Sequence, residues 1–460
     1  MKASFGPVVI SLLVLWAACA GAQNNPGNAD TTATQVGPQP AFIYPDATPS
    51  LDFLSQSLEN SSITLGVRTG IIYYANGYGS GGATLFDVYP FIRLQQFHPK
   101  IVWNIGYAAG YQTYLQSKDV PYNNNLLSQA AQAGLLWQLA PHWQLAANDS
   151  YIFTANPFQG NVTINGTPTL NNPNPVATIP LTQYKMNQAI VSLTHQLTKT
   201  DTLSFTGTQA LRETSTYNVV SSVPFYNLVS YGGMASYQHK LSPRLSLGAS
   251  YNYNSLDFGR GEQRSGLNII LLTADYSIRR NMTISGWLGP EYTTIKTVLG
   301  LPVSGQIVSV TSHQSLWSTS GGANYAWRSQ RNVFRAGFAR RVWDGGGITA
   351  TSQVTTFSAD YRRMLTAKLD GFVGSAYFHN TGLTNIPVTN TSLTTARRTY
   401  GTTNIRAGLE YKLTRSLTAL GNYAFVHYNP SNAFLINSRT YNNNLLSVSV
   451  SYSWNHPLGR

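Results

Sequence analysis

The sequence predicts an all-β fold in which about 18 long antiparallel strands follow one another up and down. Three observations predict it: apolar residues recur at every second position, the alternating runs are long, and short and long connections take turns along the chain. The strand count combines eight short turns with a first strand at 62–75 and a last one at 444–454. Shifts of register at β-bulges would allow about 16 to 20 strands.

The alternation is clearest in the run from Ile101 to Leu115, "IVWNIGYAAGYQTYL". Its odd positions are mostly aliphatic or aromatic, while its even positions include Asn104, Gly106 and Gln112. Successive Cβ atoms of a strand point to opposite faces, so these two sets lie on opposite sides of the sheet. The run has 15 residues, whereas a strand of a globular protein has ~5–6. A strand this long and this regular is typical of one that crosses a membrane.

The connections predict how the strands are arranged. Short turns are expected at 98–100, 140–142, 198–201, 241–244, 278–281, 328–332, 364–367 and 413–416, with longer loops between them. An antiparallel meander with short turns at one end and long loops at the other is the pattern of a transmembrane antiparallel up-and-down β-barrel. A β-propeller or a fibrous adhesin is the alternative, but a propeller blade contains four short strands and each repeat here contains two long ones.

The composition excludes some classes of function. The chain of 460 residues has 30 Lys and Arg against 17 Asp and Glu, a formal net charge of +13. Only 10% of its residues are charged, compared with ~25% in an average protein. The bases are spread thinly instead of being clustered on one face, which argues against nucleic-acid binding.

The N-terminus predicts export from the cytoplasm. Residues 1–22 combine Lys2, an apolar stretch and the small-residue site around Ala20, as in a secretory signal peptide. Residues 23–61 then form a leader without periodicity, expected to be flexible and periplasmic. Cys19 is the only cysteine, so a lipoprotein site is the alternative, and the mature chain is expected to have no disulfide and no thiolate metal site.

At this point the chain resembles bacterial outer-membrane β-barrel proteins and is similar to porins in size. The resemblance covers residues 62–454 and includes the signal peptide, the repeated hairpins and the terminal strand with Tyr452 and Trp454. It implies location in the outer membrane of a Gram-negative bacterium, contact with the lipid bilayer and lipopolysaccharide, and insertion by the barrel-assembly machinery. A short tail, 455–460, follows the terminal strand, so the assembly signal is internal. The leader is too short for the plug domain of an active transporter.

The same alternation predicts which side chains line a pore. With the apolar face towards lipid, the predicted pore-lining residues are Arg68, Arg93, Arg212, Glu291, Arg335, Arg341 and Arg406, with Asp87, Arg398 and Glu410 on the same face. The predicted aromatic girdle is Trp103, Trp143, Tyr251, Tyr452 and Trp454. Two charged residues do not fit, because Asp149 and Arg340 share the parity of their apolar neighbours. Either a bulge shifts the register there, or these residues lie above the membrane.

These features together predict a passive channel for small polar or anionic solutes. The alternative is a closed or narrow barrel with a structural, adhesive or polysaccharide-export role. No enzymatic activity, catalytic residue, metal or cofactor is expected, because the eight histidines lie mostly near turns without a paired-carboxylate or HExxH spacing. A homo-oligomer is compatible with the sequence. The long loop at 155–182 has no charged residue and either folds into the pore or stays on the surface.

Overall fold

The computed structural model describes residues 61–74, 83–116, 125–154, 182–216, 227–259, 261–303, 306–345, 349–383, 386–389, 392–396, 399–430 and 441–458. The predicted signal peptide at 1–22, the leader up to residue 60, the loop residues 155–181 and Arg398 lie outside the described residues. Within the described part, no helix is long and apolar enough to cross a membrane.

The described chain is built of strands in the predicted order. They are β1 Ser62–Tyr74, β2 Ala83–Phe97, β3 Ile101–Gln116, β4 Asn125–Ala140, β5 Trp143–Thr154, β6 Thr182–Gln196, β7 Asp201–Thr216, β8 Leu228–Lys240, β9 Leu245–Phe258, β10 Gln263–Arg279, β11 Met282–Val303, β12 Gln306–Arg328, β13 Asn332–Gly345, β14 Thr349–Met364, β15 Leu369–Gly382, β16 Ile386–Thr389, β17 Ser392–Ala396, β18 Thr399–Lys412, β19 Leu417–Pro430 and β20 Tyr441–Pro457. Eighteen of them form one sheet, and β16 and β17 form a separate two-stranded ribbon between β15 and β18. The prediction of about 18 antiparallel strands is confirmed.

The sheet closes on itself through its first and last strands. β1 is paired with β2 on one side and with β20 on the other, from Ser62 opposite Pro457 to Tyr74 opposite Leu445. At the short-turn end, the backbone N–H of Leu458 donates to the carbonyl of Ser61 over 2.8 Å. Both ends of the barrel chain therefore lie at this end, and β20 extends beyond Trp454 to Pro457.

The short turns are held by hydroxyl side chains, which explains a recurrent feature of the sequence. In the turn at 241–244, the Ser242 hydroxyl accepts hydrogen bonds from the backbone N–H groups of Arg244 and Leu245. Thr414 makes the same pair of bonds in the turn at 413–416. Ser and Thr favour turns because their side chains satisfy backbone donors that have no strand partner there. A local signal thus helps to set where these hairpins reverse.

The two faces of the wall differ as the alternation requires. Leu272 is 69% exposed, and the residue before it, Leu271, is completely buried. Large apolar side chains are exposed around the barrel, for example Ile71, Leu127 and Val448. Because the sheet is closed, its outside is the face that carries these residues and its inside is the opposite face.

One part of the wall departs from this regularity. β11 and β12 have 22 and 23 residues and are paired along their whole length. In contrast, β12 is paired with β13 only from Gly321 opposite Arg340 to Arg328 opposite Val333. Towards the long-loop end β13 therefore separates from β12, and its end lies against the inner face of β10 and β11 (described below).

Candidate functional site: the inner wall of the barrel

All seven predicted pore-lining residues lie on the inner face of their strands. Each alternates with side chains that the structure exposes on the outside, such as Val67 beside Arg68 and Ile405 beside Arg406. The surroundings of the seven differ, however. Some face acidic side chains, some face amides, and two are covered by a second layer of strands.

Arg68 belongs to a packed cluster on β1 to β3. Its guanidinium lies 3.4 Å from the carboxylate of Asp87 and stacks over the ring of Tyr89 at 4.7 Å. The Tyr89 hydroxyl in turn accepts a hydrogen bond of 2.7 Å from the Gln112 amide. Asp87, Tyr89 and Gln112 are at most 2% exposed. Arg68 is therefore mainly held by neighbours in the wall.

Arg93 and Arg406 each donate a hydrogen bond to an amide on their own strand. The Arg93 guanidinium donates to the Gln95 amide oxygen over 3.0 Å, and that of Arg406 donates to the Asn404 amide oxygen over 3.4 Å. The residues opposite Arg406 on the adjacent strands are Gly374 and Ala424. Among the described residues, no carboxylate lies within ion-pair distance of Arg406. Arg212, on β7, is 5% exposed and lies opposite Met186 and Leu228.

An ion-pair network surrounds Arg362 near the short-turn end. Its guanidinium lies 2.9 Å from the carboxylates of both Asp370 and Glu410, and Lys412 lies 3.9 Å from Asp370. Arg335 is close by in the sheet, directly opposite Asp360. The sequence reasoning did not select Arg362. The same parity rule could have found it, because Arg362 alternates with Phe357 and Tyr361 on β14.

Glu291 and Arg341 lie where the wall is two layers thick. The Glu291 carboxylate is completely buried and accepts the backbone N–H of Val342 through both oxygens, at 3.2 and 3.1 Å. That N–H belongs to the part of β13 that has left β12. Arg341 is 6% exposed, and its guanidinium lies 5.2 Å from the ring of Trp343. Glu291 thus satisfies a strand edge instead of lining an open channel.

An apolar cluster fills the space between the two layers. It contains Leu228, Leu256, Phe258, Leu267, Ile269, Leu271 and Ile295 from the wall, with Val342, Trp343, Val354 and Leu383 from the inner layer. At its edge the Thr351 hydroxyl accepts a 2.9 Å bond from the Gln263 amide and also bonds with Ser265. The sequence analysis expected a polar inner face and missed this cluster. The uninterrupted apolar run Ile269 to Leu272 is a signal for it, because such a run predicts burial on both faces.

The predicted girdle residues lie on the outer face, mostly near the short turns. Trp143 directly follows the turn at 141–142 and stacks on His195, with ring centroids 4.0 Å apart. Trp454 stacks on His456 at 5.3 Å, and Tyr452 is 49% exposed. Trp103 lies close to the turn at 98–100, whereas Tyr251 lies in the middle of β9 and donates to Asn268 over 2.8 Å.

A closed sheet with an apolar outside and no free edge between its first and last strands is what a bilayer demands of a β-protein. The chain is a transmembrane β-barrel of the outer-membrane type. The alternative folds, a propeller or a fibrous adhesin, are thereby excluded.

The similarity of this chain to known proteins is low. No protein-family model and no curated protein matches the chain. Among solved structures, the ferric-catecholate import receptor Fiu of E. coli K12 is 8% identical with a TM-score of 0.45, over 86% of this chain and 82% of that one. OccK2 (OpdF) of Pseudomonas aeruginosa is 10% identical with a TM-score of 0.42, over 86% and 98% of the two chains. OpdQ of the same organism is 13% identical with a TM-score of 0.41, over 87% and 98%.

Proposed function

We infer that the protein is a passive channel for small polar or anionic solutes in the outer membrane of a Gram-negative bacterium. In this proposal its outer face contacts lipid and lipopolysaccharide, and the barrel-assembly machinery inserts it. Barrels of 16–18 strands are wide enough to enclose an aqueous channel. No chemical step is part of the proposed function.

The observation that carries the proposal is the surroundings of Arg406. Its guanidinium faces inward, its hydrogen-bond partner is an amide oxygen, and the opposite residues are Gly374 and Ala424. A fixed positive charge without a neighbouring carboxylate attracts anions along a narrow low-dielectric passage.

The test is the ion selectivity of single channels in planar bilayers. We expect Arg406→Gln to lower the permeability of chloride relative to potassium, measured as a shift of reversal potential in a salt gradient. Arg340→Gln is the matched control, because Arg340 lies on the outer face and donates to Gln353 over 2.9 Å. It removes the same charge without touching the inner wall. Equal selectivity of Arg406→Gln and the wild type would contradict the proposal.

A closed or narrow barrel with a structural, adhesive or export role is the second candidate. The two-layered wall favours it, because β13 and β14 occupy part of the interior. The tight packing of inner side chains also favours it, since Asn104 and Gln188 are each 2% exposed. Absence of conductance from protein that is shown to be folded would select this candidate over the channel.

A further inference from the structure

The outer face of β5 to β8 differs from the rest of the outer wall. Asp149 lies directly opposite Ala189, and Ala189 lies directly opposite Gln209, so the three share the outer face with the exposed Val191 and Phe205. The Asn187 amide donates to the Asp149 carboxylate over 2.8 Å and to the Ser150 carbonyl over 3.2 Å. No register shift interrupts β5 and β6 there, so Asp149 truly faces outwards.

The position of Asp149 along the strand places it within the apolar band. Six residues separate it from Trp143, which follows the short turn and belongs to the predicted girdle. At ~3.3 Å per residue and a tilt of ~40°, this distance is about 15 Å along the barrel axis. The apolar band of an outer-membrane barrel is ~25 Å tall. Asp149 therefore lies near the middle of the band. Of the two positions that the sequence left open for it, the one above the membrane does not apply.

A carboxylate at this depth needs a protein partner. Charged groups facing acyl chains are unfavourable, and long side chains escape by reaching to the interface. Arg340, also on the outer face, has a long side chain and is bonded to Gln353. The side chain of aspartate is too short to reach the interface. Asn187 covers one oxygen of Asp149, which leaves further acceptor capacity on the carboxylate.

The surface beside Asp149 is concave and made of small residues. Gly207 and Gly233 are opposite each other on β7 and β8, and a Cβ added to either would meet no atom within 4 Å. A depression of about 460 Å³ lies over them, with Phe205, Tyr251 and Tyr253 among its walls. Small residues let two backbones approach closely in a membrane. The surface can therefore receive a side chain from a partner.

We propose that the outer face of β5 to β8 is the interface between two copies of this chain in the membrane. The surface is self-complementary in its chemistry, since it offers the Asp149 carboxylate as acceptor and the Gln209 amide as donor two strands away. In a two-fold dimer the same patch meets itself, so the carboxylate of each copy receives the amide of the other. Glycines and the depression over them make the approach possible. The inference depends on the barrel spanning a membrane and not on its solute.

Cysteine cross-linking tests which face meets which. In a Cys19→Ser background, no other cysteine is present. Ala189 lies between Asp149 and Gln209 and therefore next to the two-fold axis, so we expect Ala189→Cys to give a disulfide-linked dimer in native outer membranes after mild oxidation. Ala407→Cys is the matched control, because it replaces the same residue type at an exposed position on β18, far around the barrel. Dimers from both positions, from neither, or a cross-link to a different protein would overturn the proposal.

A bulky substitution tests the same interface by a different measurement. Gly207→Trp fills the depression, so we expect the dissociation constant of the dimer to rise at least about tenfold, measured by sedimentation in detergent. Asp149→Leu removes the buried acceptor and should act in the same direction. Gly421 also has open space around its Cβ and lies on β19, far around the barrel, so Gly421→Trp should leave the dimer intact. The folding of each variant is checked by its heat-dependent gel mobility. If a tryptophan variant does not fold, the cysteine experiment alone tests the proposed interface. An unchanged dimer in Gly207→Trp, or a monomeric wild type, would overturn the proposal.

Discussion

The seam between β1 and β20 and the seam between β12 and β13 join neighbouring strands in different ways. The first continues from Ser62 opposite Pro457 to Tyr74 opposite Leu445 without a register shift. The second ends at Gly321 opposite Arg340, and beyond it β13 has the Glu291 carboxylate as a partner for Val342. The regular seam joins the first and last strands of the sheet by an unbroken ladder of backbone pairs. The interrupted seam replaces part of that ladder with a contact from a side chain to the backbone.

The largest effect is expected from a proline in the regular seam. β1 is paired on both sides, so every backbone N–H in it has a ladder partner, and Ile71 lies opposite both Phe86 and Val448. Ile71→Pro removes such a donor in a strand that is paired on both sides, where proline is not tolerated, so it should prevent closure. Loss of the heat-dependent gel shift would show it. Ile71→Val is the control and should fold normally, and a folded proline variant would mean that this seam is not continuous.

An intermediate effect is expected at the interrupted seam from Glu291→Ala. It leaves the Val342 N–H buried without an acceptor, which costs about 1–3 kcal/mol. Amide hydrogen exchange should become faster at 341–343 and stay unchanged in β1 and β20. Glu291→Gln keeps a carbonyl acceptor and should retain most of the protection. Unchanged exchange at Val342 in the alanine variant would argue against the capping role.

The smallest effect is expected from Thr351→Val at the edge of the two layers. It removes the acceptor of the 2.9 Å bond from Gln263 while preserving the shape of the side chain. A single neutral hydrogen bond contributes ~1 kcal/mol. The loss of this hydrogen bond should lower the urea midpoint for unfolding. Thr351→Ser keeps the hydroxyl and should have a midpoint close to that of the wild type. A midpoint equal to that of the wild type would show that the apolar cluster alone holds the layers together.

The same contrast, between regular strand pairing and contacts specific to one place, separates the features that the sequence could predict from those that it could not. The eight short turns and the inward arginines were found because turn chemistry and two-residue alternation are local. The alternation within a single strand was enough to assign Arg68 and Arg406 to the inner face. The role of Glu291 was missed, because it depends on Val342, 51 residues away. Asp149 was recognised as exceptional, but its depth in the wall required the register of its neighbours.

By itself, the sequence predicted about 18 strands, the positions of the short turns and the face on which most side chains are found. The reason is that a strand has a period of two, which each segment expresses without help from the rest. Only the tertiary structure decided that the long-loop ends of β13 and β14 lie against the inner face of β10 and β11. It also decided that Asp149 lies at mid-height on a concave outer face. Both depend on how closed strands tilt and stagger against one another, as in the bond between Thr351 and Gln263 across 88 residues.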